Sequence, residues 1–280
     1  DGPGITRRRA GKRFHYIGTD GKRITDPDRV AWYDRLAIPP AWTDVWICPD
    51  PAGHLQATGR DDERRKQYLY HPAWAQVRSE TKFNRTVAFG AALGQVRARC
   101  AHDLRLRKLS RDKVLAAVVT LLDRTLIRVG NQTYARRNGS FGLTTLRDRH
   151  VDFTSRKVIF EFKGKSGKKH EIELSDRRLA RVVRHCRDIP GYDLFQYYDD
   201  DDNRHVVDSS DVNAYLQETT GDAFTAKDFR TWGGTVQAAV VLDQVGPAAS
   251  EKEAKRHVAE MVKTVSERLG NTTAVCRQYY

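Results

Sequence analysis

The texture of the chain changes once, near residue 80, and that change limits the folds open to it. Before it, short runs of strand character, "RFHYIG" (13–18), "HLQATG" (54–59) and "RKQYLYH" (65–71), alternate with turn signals such as "GTDGKR". One short helix interrupts them, starting at Pro27 behind an Asp26 cap. After it, helix start and stop signals dominate. A helix is expected over about 81–106. Ser110 precedes "RDKVLAAVVTLLDRTLIRV", with Gly130 as its stop. Ser175 precedes "DRRLARVVRHCRD", which Pro190 and Gly191 end. Ser210 opens a short helix, and Thr225 caps a longer one reaching about Val245. Ser250 and Glu253 form a capping box for "EKEAKRHVAEMVKTVSERL", and Gly270 closes it. Strand signals return only at "KVIFEF" (157–162) and "KHEIEL" (169–174), on either side of "KGKSGK". The expected class is α+β. A small β-rich N-terminal domain, 1–76, precedes a mainly α-helical domain, 77–280, that carries a short β-hairpin.

Charge narrows the partners. Lys and Arg number 49 against 36 Asp and Glu, a net of +13. A chain this basic meets a polyanion more often than it merely displays a solvated surface. No stretch approaches the roughly 18 uncharged apolar residues of a membrane span. The start is basic but lacks the apolar run of a secretory signal. Cys48, Cys100, Cys186 and Cys276 are far apart and form no C-x-x-C, and the nine His form no H-E-x-x-H. Neither a metal centre nor a disulfide framework is expected, and isolated cysteines fit a reducing compartment. "KGKSGK" is not a phosphate-binding loop, because Ile159 stands where the first glycine would be.

Four segments put polar groups at structural transitions. Arg128, in "TLIRVGNQTY", is either a capping cation in a last helical turn or a guanidinium reaching a ligand. Lys165, in "FKGKSGKK", sits at a hairpin tip that reads, in isolation, as a solvated turn. Arg230, in "TAKDFRTWGGT", lies in the first two turns of a helix, where the dipole opposes it, so something else should want it. The fourth segment is "GNTTAVCRQYY", with Asn271 nine residues before Tyr280.

Together these strings resemble the type IB DNA topoisomerases, in the compact bacterial and poxvirus-like branch. The matching stretches are "LQATGRDDERRKQYLYH", "IRVGN" with "SFGLTTL", "FKGKSGKKHE", "KDFRTWGGT" and "LGNTTAVCRQYY". They run in family order from about residue 13 to the end. The resemblance implies a β-rich DNA-clamp domain, a catalytic domain of the DNA breaking-rejoining fold, and relaxation of supercoiled duplex DNA without ATP or a required metal. Tyr280 would attack a phosphodiester and hold the DNA as a 3′-phosphotyrosine. Covalent catalysis of this kind splits one hard displacement into two reversible ones.

Matching positions give the other roles. Arg128 and Arg230 would face the non-bridging oxygens of the transition state, for which fixed planar guanidiniums are suited. Lys165 would protonate the leaving 5′-oxygen, with a pKa pulled down from about 10.4 by its neighbours. Asn271 stands where other branches have His, and is limited to hydrogen bonding because it carries no charge. Tyr279 is the rival nucleophile, and the spacing from Asn271 favours Tyr280. In the N-terminal domain, Lys66, Tyr68 and Tyr70 share one face of a strand and Gln67 faces the other unless the strand is bulged. The resemblance puts Gln67, Tyr68 and Tyr70 at the DNA, with Lys66 beside them. The alternative is that the tyrosines pack on that domain's core, and DNA contact is the favoured reading. Asp61, Asp62 and Glu63 form an acidic interruption just ahead of the strand.

The expected partner is duplex DNA, held mainly through phosphates. A monomer in the cytoplasm, at the nucleoid, with no cofactor and no membrane contact, is expected. Two other readings stand beside this one. A tyrosine recombinase shares the chemistry but typically has His-x-x-Arg where this chain has Lys227 to Arg230, and Gly-His where it has Gly270-Asn271. A non-catalytic DNA-binding protein accounts for the charge but not for an ordered set of cations ahead of a tyrosine.

Overall fold

The computed structural model describes residues 2–11, 13–154 and 156–279, and of residues 75, 76, 78–80, 166, 278 and 279 the backbone only. The chain divides into two compact units, 1–85 and 86–280.

The first unit is built on an antiparallel sheet of β1 (Ile5–Ala10), β2 (Arg13–Ile17), β3 (Thr43–Ile47), β4 (Leu55–Arg60) and β5 (Lys66–Tyr70), in the order β2-β1-β3-β4-β5. Its apolar positions, Ile5, Tyr16, Val45, Ile47 and Ala57, face α1 (Pro27–Arg35), from which Tyr33 completes the core. Asp26 caps α1 by accepting from the backbone N–H groups of Asp28 and Arg29, as the sequence predicts. The Tyr16 hydroxyl donates to Asp34 at 2.7 Å and pins the helix to the sheet. β1 and β3 escape the sequence reading. Arg7, Arg8 and Arg9 hide the apolar alternation of β1. Arg7 is nevertheless held, donating to the carbonyls of Ile38, Pro39 and Trp42.

The division between the units falls within α2 (Pro72–Asp103). This helix starts nine residues before the expected point. Pro72 sits at its first position, where a missing N–H costs nothing, and the His71 ring accepts from the Ala73 N–H. Unit 2 continues with α3 (Arg111–Thr125), α4 (Gln132–Asn138), β6 (Val151–Phe153), β7 (Lys157–Lys163), β8 (Lys169–Ser175) and α5 (Arg177–Arg187). After them come β9 (Gln196–Tyr198), β10 (Arg204–Val206), α6 (Ser209–Thr220), α7 (Ala226–Val245), α8 (Glu251–Leu269) and α9 (Thr273–Tyr279).

The axis of unit 2 is α3. Val114 to Val119, Leu121 and Leu122 are all buried, so most of this helix's circumference is apolar and covered by other elements. They include the C-terminal half of α2 (Phe89, Leu93, Val96), α5, α6, Phe229 of α7 and the β6-β7-β8 sheet. Each buried Leu or Val contributes about 1.5–3 kcal/mol over the exposed side chain. A smaller cluster of Leu126, Val262, Val265, Leu269 and Cys276 joins the end of α3 to α8 and α9.

Two caps differ from expectation by one or two residues. Asp176, not Ser175, caps α5 by accepting from Arg178 and Leu179, and Asp208, not Ser210, caps α6. In both cases a carboxylate within two residues of the serine takes the free N–H groups. The acidic run after β9 is an organised turn: Asp199 accepts from the N–H groups of Asp201 and Asn203 and contacts His205 at 2.7 Å. Among the described residues, no helix is long and apolar enough to cross a membrane.

Candidate active site

Arg128 does not lie in a helical turn. α3 stops five residues before Gly130, because Leu126 adopts the left-handed conformation (φ 56°) as its C-cap. Ile127 then turns into the core, and the next three residues run along the loop 142–145. The Leu143 N–H donates to the Arg128 carbonyl at 2.9 Å, and the Thr144 N–H to the Val129 carbonyl at 2.7 Å. The approach is tight enough to demand glycine. A Cβ on Gly142 would lie 2.5 Å from the Arg128 oxygen and 2.5 Å from the Gly130 nitrogen. Gly130 itself needs φ +101°. The strings "IRVGN" and "SFGLTTL" are therefore the two halves of one packed unit that fixes the Arg128 backbone.

Arg230 lies in the second turn of α7 and is only 6% exposed. Its local dipole is unfavourable, but two other helix ends supply the opposite field. One terminal nitrogen donates to the Leu126 carbonyl, at the end of α3. The other donates to the Leu269 carbonyl, at the end of α8, at 2.7 Å. The start of α7 is held by Asp228, which accepts from the Thr225 N–H and hydroxyl, and by Asn213, which accepts from the Ala226 N–H.

Asn271 follows the left-handed C-cap of α8 at Gly270 (φ +62°). Its Oδ1 accepts from Arg128 at 2.6 Å and from Arg230 at 3.4 Å. A guanidinium only donates, so this contact sets which end of the amide is oxygen. The Nδ2 group is then buried with no hydrogen-bond partner among the described residues. A buried donor in that state costs stability unless a ligand satisfies it. Two guanidiniums and a free amide donor thus meet at one point, an arrangement suited to an anionic oxygen.

The β7–β8 hairpin reaches the same corner. Its tip is a 3-10 turn, Lys165–Gly167, between Gly164 and Lys168, and Lys165 is exposed. At its neck His170 pairs across the strands with Phe162, the rings stacked at 5.0 Å. Gly270 approaches this ring so closely that a Cβ there would lie 2.8 Å from the His170 Cε1. Burial, then the charges of Arg128, Lys168 and Arg230, lower the His170 pKa from its ordinary value. The hairpin that carries Lys165 is thus packed against Gly270, the residue before Asn271.

α9 starts two residues after Asn271 and ends at Tyr279. Cys276 anchors it, buried against Leu126, Val262, Val265 and Leu269. Tyr280, the expected nucleophile, lies outside the described residues, and α9 leads to it directly.

In unit 1, β5 shows the expected alternation. Tyr68 and Tyr70 stack at 6.2 Å, Lys66 lies over the Tyr68 ring, and Tyr68 is 49% exposed. Leu69 packs inward. Gln67, on the opposite face, donates to Asp61 at 2.7 Å. The acidic interruption acquires a structural role here. Asp61 also binds Arg65 and accepts from the Glu63 N–H, building the turn before β5. The hydrogen bond from Arg65 is the main reason its carboxyl falls to about 2.

Sequence reasoning missed four participants: the carbonyls of Leu126 and Leu269, the Cys276 anchor, and His170. Main-chain carbonyls leave no sequence signal. His170 could have been found, because the register of a hairpin closed by "KGKSGK" sets it opposite Phe162.

Two guanidiniums meeting an amide on a helical core define a site suited to an anionic group. Family models sharpen this. One described as eukaryotic DNA topoisomerase I, catalytic core, matches residues 71–279, and one described as bacterial DNA topoisomerase IB, N-terminal domain, matches residues 13–61. The chain belongs to the type IB DNA topoisomerases. The DNA topoisomerase 1B of Acanthamoeba polyphaga mimivirus is 31% identical, over 99% of this chain and 84% of the relative. DNA topoisomerase I of monkeypox virus and DNA topoisomerase 1B of vaccinia virus (strain Copenhagen) are 23% and 22% identical, each over 93% of this chain and 85% of the relative.

Proposed function

We propose that this isomerase relaxes supercoiled duplex DNA with Tyr280 as nucleophile, Arg128, Arg230 and Asn271 as transition-state stabilisers and Lys165 as general acid. The Tyr280 oxygen bonds to phosphorus while the bond from phosphorus to the 5′-oxygen breaks. The phenolic proton leaves to water, and the Lys165 ammonium gives its proton to the departing 5′-oxygen. The DNA rotates about the intact strand. Then the 5′-hydroxyl attacks phosphorus, its proton returns to Lys165, the bond from phosphorus to the tyrosine oxygen breaks, and the phenolate regains a proton from water. One phosphodiester replaces another, so neither ATP nor a metal is needed.

The observation that carries this reading is the meeting of Arg128 and Arg230 at the Asn271 Oδ1. In the transition state the non-bridging oxygens gain charge, and fixed guanidiniums stabilise it without reorganising. The Asn271 Nδ2 group supplies one more donor. Lys66, Gln67, Tyr68 and Tyr70 are assigned to the DNA surface, within an N-terminal clamp domain of about 1–76 preceding a catalytic domain of 77–280. With a net of +13, the chain should bind duplex through phosphates and lose affinity steeply with salt. It acts as a monomer, away from membranes, on DNA in the cytoplasm.

The test is relaxation of supercoiled plasmid in EDTA without ATP. A ladder of topoisomers is expected. Joining of partner duplexes without relaxation would identify a recombinase instead, and binding without either product would identify a passive DNA-binding protein.

A further inference from the structure

The His170 ring is wedged between two glycines of different elements. On one side is Gly164, at the hairpin neck, immediately before Lys165. A Cβ there would lie 2.6 Å from the His170 Nε2 and Cδ2 atoms. Gly164 has φ −89°, so only the ring stands against a side chain. On the other side is Gly270, immediately before Asn271, where a Cβ would lie 2.8 Å from His170 Cε1. Stacking on Phe162 holds the ring from within the sheet. Among the described residues the imidazole makes no hydrogen bond, so shape and stacking position it. Burial first, and then the nearby cations Arg128, Lys168 and Arg230, disfavour its protonated form.

We propose that His170 is a positioning residue for Lys165: its ring sets the spacing between the hairpin neck and the corner that carries Asn271. This rests on the reading of Lys165 as general acid. Lys165 stands at an exposed tip, and a proton donor must hold its geometry closely to act. At the neck the hairpin touches the corner, through the His170 ring against Gly270. An uncharged ring serves here, because a cation in the same place would repel both arginines.

A substrate with sulfur in place of the bridging 5′-oxygen separates positioning from general damage. A thiolate leaves without a proton, so a defect confined to proton donation disappears on it. Single-turnover cleavage is measured on oxygen and sulfur duplexes for wild type, Lys165→Ala, His170→Ala and Gly164→Ala, each normalised to wild type. On oxygen, His170→Ala is expected to lose about tenfold or more, and on sulfur to come within about threefold of wild type. Gly164→Ala pushes on the same ring and should show the same pattern. It decides the matter if His170→Ala fails to fold. An equal loss on both substrates, or no loss on oxygen, overturns the proposal. If wild type forms no covalent product, or Lys165→Ala is not rescued by sulfur, it is the reading of the active site that fails.

Discussion

Arg230 donates to the main-chain carbonyl of Leu269, 2.7 Å away, and so ties the second turn of α7 to the last residue of α8. The same guanidinium reaches the Leu126 carbonyl at the end of α3. One side chain thereby closes three helix ends around the point where Asn271 begins the approach to α9.

A lysine cannot span these partners, because it lacks the planar fork. Arg230→Lys is expected to leave at least one buried carbonyl unsatisfied, at a cost of about 1–3 kcal/mol. It should also slow DNA cleavage by about a hundredfold or more. Thermal melts and single-turnover cleavage check the two parts. Unchanged melting together with unchanged cleavage would contradict the assigned position.

Asn271 tests the sign of the site. Asn271→Asp replaces an amide with a carboxylate of nearly the same shape, between Arg128 and Arg230. The protein should become more stable, or remain as stable, since the carboxylate pairs with two guanidiniums. Cleavage should fall below that of Asn271→Ala, because the new charge neutralises the arginines and repels the phosphate. If Asn271→Asp cleaves as fast as wild type, the site does not bind an anion there.

The close approach of Gly142 to residues 128–130 predicts a third effect. Gly142→Ala sets a methyl against main-chain atoms that have no rotamer to escape into. A loss of about 1–3 kcal/mol is expected, together with slower cleavage as the Arg128 backbone shifts. Gly139 has φ +55° but no atom within 4 Å of its would-be Cβ. Gly139→Ala should therefore show backbone strain alone, about 1–2 kcal/mol, with cleavage kept. Equal behaviour of the two variants in cleavage would contradict the packing argument.

Asp103 gives a pH dependence. It is buried at the end of α2, accepts from Tyr215 at 2.8 Å and Arg99 at 2.6 Å, and contacts His102. Burial raises its pKa, but hydrogen bonds from His102, Tyr215 and Arg99 outweigh this, and the carboxyl titrates below its ordinary value. A depressed carboxyl stabilises the fold above its unfolded pKa of about 3.9 and stops doing so as pH falls through the folded value. The melting difference between wild type and Asp103→Asn should be full at neutral pH and close as pH drops below about 4. A difference independent of pH would count against it.

Much of this architecture could be read from the sequence, for identifiable reasons. Local chemistry carried the helix caps at Asp26, Ser250 and Gly270, and alternation carried β5 and the β7–β8 hairpin. The α3 run was legible as a helix, but its end was not. Gly130 looked like the stop, whereas Leu126 takes the left-handed turn because residues 128–130 must pack on 142–145. β1 was missed because three arginines on it serve a surface and a loop rather than a core. At the candidate site, Arg128, Arg230 and Asn271 could be chosen by pattern. Their contact could not, since 143 residues separate Arg128 from Asn271 and helix ends unrelated in sequence bring them together.

The central claim is that two guanidiniums and a terminal phenol serve one phosphorus. Trapping the covalent protein–DNA species on a nicked duplex, under denaturing conditions, tests it directly in wild type, Tyr280→Phe and Tyr279→Phe. Wild type and Tyr279→Phe should yield a 3′-linked adduct, and Tyr280→Phe should bind DNA but yield none. A covalent species that persists in Tyr280→Phe would contradict the account.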